Sequence, residues 1–199
     1  MKNLTATLCL AVALLLGSAG VSWSQDFQKG VAAAHSGDFA TALREWTPLA
    51  EQGEADAQTI LGVMYEEGKG VPQDYKTAVK WYKLAAEQGD ADAQTQMGFM
   101  YNKGKGVPQN DKTAVKWWTL AAEQGNALAQ GNLGAGYAFG RGVLKDYVYA
   151  HMWGNIAATN GNKLGAKLRD FVEKKMTPAD ISAAQKLARE CVRKKYKEC

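Results

Sequence analysis

From Leu61 onward the chain copies itself at a fixed spacing of 36 residues, and a chain that does so folds as a stack of like units. Leu61-Gly62-Val63-Met64-Tyr65 returns as Met97-Gly98-Phe99-Met100-Tyr101 and again as Leu133-Gly134-Ala135-Gly136-Tyr137. Gly68, Gly70 and Val71 recur as Gly104, Gly106 and Val107, then as Gly140, Gly142 and Val143. Ala85-Ala86 and Gly89 recur as Ala121-Ala122 and Gly125, then as Ala157-Ala158 and Gly161. Leu49-Ala50-Glu51-Gln52-Gly53 matches the close of the first unit, so part of a unit precedes it.

Each unit reads as two helices. Ala57, Leu61, Met64 and Tyr65 form one apolar stripe at helical spacing. The Gly68 to Pro72 segment suits a turn, because glycine tolerates positive φ and proline cannot continue a helix. Asp74, and later Asn110 and Asp146, are placed to cap the second helix by accepting from its free backbone N–H groups. Asp90 or Asn126 can cap the next first helix. The second helix carries Ala78, Trp81, Tyr82, Ala85 and Ala86, and Gly89 closes it. Gly62, Gly98 and Gly134 fall inside helices, where glycine costs about 1 kcal/mol relative to alanine. Close approach of another helix would offset that cost. The expected fold is all-α, a solenoid of helical hairpins.

The pattern Ala-x-x-x-Leu-Gly-x-Met-Tyr followed by Gly-x-Gly-Val-x-x-Asp and by Ala-x-x-Trp-Tyr-x-x-Ala-Ala-Glu-x-Gly resembles the Sel-one-like repeat, a relative of the tetratricopeptide repeat. The resemblance implies an α/α right-handed superhelix that serves as a scaffold for protein complexes, with the first helices on its concave face. It also implies that exported relatives can carry a cystine in each repeat. No cysteine falls within these repeats, so packing must hold them.

The expected layout is a signal peptide over 1–24, a degenerate helical cap over 25–56, repeats over 57–161 and a helical cap over 162–199. Lys2, the apolar run Leu4 to Leu16, and small residues at Ser22 and Ser24 mark an export signal cut after about Ser24. The run is shorter than the roughly 20 residues that span a bilayer. The expected location is therefore periplasmic or secreted, without stable membrane insertion after cleavage. In the N-terminal cap, Gly37-Asp38 separates two helices and Phe39, Leu43 and Trp46 make a stripe. In the C-terminal cap, Leu164, Leu168, Phe171 and Val172 share a face, and Thr177-Pro178-Ala179-Asp180 starts a further helix. Cys191 and Cys199 are expected to pair in an oxidising compartment. Eight residues of helix rise about 12 Å, too far for a disulfide, so pairing requires the chain to turn back near Tyr196.

The net charge of +4 is mild, and basic residues are spread among acidic ones until the last dozen positions, so the field does not argue for nucleic acid. The basic cluster Arg193, Lys194, Lys195 and Lys197 suits the negative end of a helix dipole. The catalytic inventory after the expected cut is thin: Ser36, Ser182, His35 and His151, with no Ser-x-x-Lys and no metal-spaced cluster. His35 and Ser36 are adjacent and diverge. The Gly-Lys-Gly turns lack the following Lys-Ser/Thr of a phosphate loop. His151 reads as a surface substitution at the place of Lys80 and Lys116. No catalytic residue, cofactor or metal is expected.

Positions that vary between repeats are free to serve recognition: Ile60/Gln96/Asn132, Val63/Phe99/Ala135 and Glu66/Asn102/Ala138. Val63, Phe99 and Met100 are candidate apolar anchors, and Gln58, Gln94, Gln130 and Asn102 candidate hydrogen-bonding groups, for a peptide or partner helix. Packing of Val63 and Phe99 against the neighbouring hairpin is the competing account, and Trp118 reads as a core filler. The function expected is a non-catalytic protein-binding scaffold. A β-lactam- or peptidoglycan-directed envelope enzyme is the alternative.

Overall fold

The same turn is built three times, and it defines the hairpin. In the first copy Gly68 and Gly70 take φ of 69° and 73°, values that favour glycine. Lys69 N–H then donates to Met64 O and Asp74 N–H to Tyr65 O, both at 2.9 Å. Lys105 to Met100 and Asn110 to Tyr101 repeat these bonds, as do Arg141 to Gly136 and Asp146 to Tyr137. Asp74, Asn110 and Asp146 each cap the following helix through the side chain, as their sequence positions suggested.

The structure, a computed structural model, describes residues 25–199, and the expected signal segment with Cys9 lies outside the described residues. Among the described residues there are ten helices and no strand. They form two compact units, divided after Asp90. No described helix is long and apolar enough to cross a membrane.

The first unit contains α1 (Gln25–Ser36), α2 (Phe39–Glu51), α3 (Ala55–Glu67) and α4 (Tyr75–Glu87). Each helix packs on the next. Phe27, Trp46, Leu61 and Met64 are sealed within it. The Trp46 ring lies over Gly30, and its Nε1 donates to Phe27 O at 3.2 Å. The Tyr82 ring lies over Gly62 in the same way, and its hydroxyl donates to the Glu66 carboxylate at 3.0 Å. A Cβ on either glycine would overlap the ring. The in-helix glycines therefore accommodate an aromatic side chain of the partner helix.

The second unit contains α5 (Ala91–Lys103), α6 (Asp111–Ala122), α7 (Ala127–Phe139), α8 (Tyr147–Thr159), α9 (Lys163–Glu173) and α10 (Pro178–Arg193). Trp118 covers Gly98 and donates from Nε1 to Thr95 O at 3.2 Å. The third repeat departs from this. Gly154 stands where Tyr82 and Trp118 stood, and no ring covers Gly134. Instead α9 closes in: Leu168 lies against Gly134, and Gly165 fits against Gly154 and Ala157. Removing the aromatic from α8 makes room for a helix outside the repeat pattern.

α10 starts with a full capping box between Thr177 and Asp180, with Pro178 in the first turn. Past its end, Lys195, Tyr196 and Glu198 take positive φ. Tyr196 N–H donates back to Cys191 O at 2.9 Å. This reversal brings Cys191 and Cys199 to a Cα separation of 5.3 Å, and their sulfurs are bonded.

Candidate binding groove

α7 is the first helix of the third repeat, and its solvent face borders two hollows. One, of about 170 Å³, is lined by Asn102, Asp111, Trp118, Asn132, Ala135, Gly136, Phe139 and Arg141. The other, of about 230 Å³, lies towards α9 and is lined by Leu128, Gly131, Asn132, Ala135, Asn162, Leu164 and Leu168. Asn132 and Ala135 border both, so the two hollows flank one strip of α7. Small residues at Gly131, Ala135 and Gly136 lower this strip between larger neighbours.

The groove has polar and apolar parts. Asn102 Nδ2 donates to Asp111 Oδ1 at 2.8 Å, which holds the amide at the wall. Phe139 is 55% exposed, with its ring 6.0 Å from that of Phe171 and the Arg141 guanidinium 5.9 Å from its centre. A guanidinium over a ring face is attracted by its quadrupole and keeps donors for a ligand. Leu164 is 67% exposed at the far side.

The sequence candidates divide. Asn102 lines the groove, and so do Asn132 and Ala135 from the variable set. Phe99 is half-buried and packs edge-on against Trp118, with ring centres 5.7 Å apart. Val63 is likewise half-buried, packed on the core of the first unit. Met100 is wholly buried and presents nothing to a partner.

The three glutamines have internal work. Gln58 is 4% exposed, and its Nε2 donates to Ala50 O while its Oε1 accepts from Gln88. Gln130, with no exposure, repeats the arrangement with Ala122 O and Asn160. Gln94 is 5% exposed and accepts from Gln124 at 2.8 Å. Each joins the start of one helix to the end of another, so the expectation that they face a ligand gives way to a structural role. The signal was in the sequence: glutamine recurs there in every repeat, as packing residues do.

Phe139 and Arg141 were missed, although the same comparison contains them. Phe139 stands where Glu67 and Lys103 stand, and Arg141 where Lys69 and Lys105 stand. His151 needs a correction of register. At an offset of 36 it aligns with Val79 and Val115, while Lys80 and Lys116 align with Met152. It is accordingly 1% exposed rather than a surface group. Burial lowers its pKa below the usual imidazole value, against an opposing pull from Glu173. No group of three or more His, Cys, Asp and Glu side chains is placed to hold a metal ion among the described residues.

Comparison with known proteins fits this architecture. The family model of the Sel1 repeat matches residues 55–90, 91–126 and 127–162. Among solved structures, c5321, a protective antigen present in uropathogenic Escherichia coli strains and displaying an SLR fold, is 32% identical with a TM-score of 0.74. That similarity covers 98% of this chain and 39% of c5321, so the chain spans well under half the length of that relative. A Sel1 repeat protein from Oxalobacter formigenes is 27% identical with a TM-score of 0.66, over 86% of this chain and 75% of that one. No curated protein matches the chain.

Proposed function

The chain belongs to the Sel1 repeat family, and from that premise we propose that it is a non-catalytic adaptor of the bacterial envelope or its exterior, which holds a peptide or partner helix along α7. Repeats of this family typically mediate contacts between proteins. The observation that carries the reading is the overlap between sequence variation and surface shape. Asn102, Asn132 and Ala135 sit at positions where the repeats differ, and all three line one hollow with Phe139 and Arg141. A helix or extended segment laid there meets an aromatic anchor, a guanidinium and two amides within one strip.

An extracytoplasmic site of action is supported by the Cys191–Cys199 bond, since such bonds persist in oxidising compartments. The leader-like composition of residues 1–24 and the likeness to a protective antigen point the same way. Phe99 contributes on this reading by backing Trp118 at the groove wall, with Asn102 in the contact itself.

The test is capture from an envelope extract by the full mature chain, compared with Phe139→Glu and with Lys116→Glu on the exposed face of α6. A partner held by the parent and by Lys116→Glu but lost with Phe139→Glu supports the groove. A partner held equally by all three places recognition elsewhere. Turnover of a β-lactam or of peptidoglycan by the pure chain would overturn the non-catalytic reading.

A further inference from the structure

His151 breaks the repeat in a way that packing does not require. The equivalent residues are Val79 and Val115, so an apolar side chain suffices for the hairpin at that position. In the third repeat an imidazole is buried there instead, and neither of its ring nitrogens is hydrogen-bonded to the protein. Glu173 Oε2 lies 3.6 Å from Nε2, which is too long for a hydrogen bond. Buried polar atoms in native proteins are ordinarily satisfied, and those the protein leaves over are met by ordered water or a bound group.

The imidazole does not face a sealed core. It borders a polar cleft of about 310 Å³ between α8, α9 and α10, whose other walls are Asn155, Arg169, Glu173, Gln185 and Arg189. Every side chain there is polar, and both signs of charge are present. Arg189 and Gln185 are exposed on α10. The Arg169 guanidinium leans on Asp170 at 2.7 Å and reaches Asn155 Oδ1 at 3.5 Å. Arg169 Nε also donates to Asp170 Oδ1 at 2.9 Å, but Asp170 is 59% exposed, so water screens the pair and a ligand carboxylate in the cleft can compete for the guanidinium. Guanidinium groups match a carboxylate through paired N–H donors. The Glu173 carboxylate repels an anion but accepts from an ammonium group. A neutral imidazole offers one donor and one acceptor.

We propose that this cleft binds a small zwitterion of the α-amino-acid class, its carboxylate on Arg169 and Arg189, its ammonium on Glu173, and His151 on the floor between them. A simple anion would leave Glu173 opposed, and a simple amine would leave the two guanidinium groups unused. The cleft shares α9 with the groove but none of the groove's lining residues. Its occupancy is therefore independent of the adaptor reading.

The chain has two histidines, so imidazole NMR of the mature protein gives two side-chain signals. His151→Val identifies one of them, and restores the residue that the other two repeats use, so the fold is retained and can be checked by circular dichroism. The common α-amino acids are added singly at millimolar concentration. At least one is expected to move the His151 signal and leave that of His35 in place. Its N-acetyl and methyl-ester forms should bind at least about tenfold more weakly, as should the parent amino acid to Arg189→Gln. The proposal is overturned if no amino acid moves the His151 signal, if either blocked form binds as tightly, or if Arg189→Gln binds unchanged.

Discussion

The indole of Trp118 lies flat enough on Gly98 that a Cβ there would overlap its five-membered ring. The same contact appears between Tyr82 and Gly62 and between Trp46 and Gly30. The glycine lets the ring reach the helix backbone, and in the case of Trp118 the indole N–H then finds Thr95 O. One pair therefore supplies both a close approach between the two helices and the satisfaction of a buried donor.

Gly98→Ala should destabilise the second unit although alanine is the better helix former. Overpacking against a fixed ring costs about 1–3 kcal/mol, which exceeds the gain of about 1 kcal/mol from replacing glycine in a helix. Thermal unfolding followed by circular dichroism should show a lower midpoint. A raised midpoint would mean that the ring can move aside.

Gln130→Leu should cost about 0.5–1.5 kcal/mol, because it removes the buried amide bond to Ala122 O, which keeps Gly125 N–H as a donor, and the acceptor of Asn160 Nδ2. Urea titration should give a lower midpoint with an unchanged slope. Since the side chain has no exposure, affinity for a groove ligand should hold under native conditions. A selective loss of binding would return the glutamine to the recognition surface.

His151 gives a pH dependence of definite sign. Burial lowers its folded pKa below 6.5, Arg169 nearby acts in the same sense, and Glu173 and Asp170 oppose both. As pH falls through the window between about 6.5 and that lower folded value, the unfolded chain takes up a proton that the folded chain resists, so stability declines. At higher pH neither state is protonated and the stability contribution is complete. Denaturant midpoints of parent and His151→Val, compared between about pH 7 and pH 5, should show the parent losing ground. Parallel curves would show that the imidazole titrates normally.

Reduction of the Cys191–Cys199 bond should add two protons by mass and loosen the last turn. With a separation of 8 residues, loop-closure entropy sets an upper bound of about 2.5 kcal/mol on the loss. Lys195, Tyr196 and Glu198 hold left-handed backbone that costs L-residues about 1 kcal/mol or more each. Release should therefore relax residues 195–199, visible as faster hydrogen exchange there and little change in α5 to α7. Protection unchanged at Tyr196 would show that its contacts with Asn160 hold the turn without the disulfide.

Only part of the candidate groove was legible in the sequence. Comparing repeats marked Asn102, Asn132 and Ala135 as variable, and they line the groove. The same comparison held Phe139 and Arg141, which also differ between repeats but stand at the end of α7 and in the turn past it. The glutamines offered as ligand contacts recur in every repeat, which is the behaviour of side chains tied to backbone carbonyls. The slip at His151 was one residue, and on a helix one residue is about 100° of rotation, enough to exchange a solvent face for a buried one.

The hairpin, its 36-residue period, its glycine turns and its caps could all be read from the residues alone, because these depend on backbone geometry and on partners a few residues away. It also placed the reversal near Tyr196 that lets the cysteines meet. Only the tertiary structure decided which side chains are sealed. Glycines at 134, 154 and 165 bring α9 against the third repeat, and α10 packs beside α8, although neither cap helix carries the repeat pattern. Burial depends on what arrives from elsewhere in the chain. That non-local fact turns a lone histidine into the floor of a charged cleft and three glutamines into internal struts.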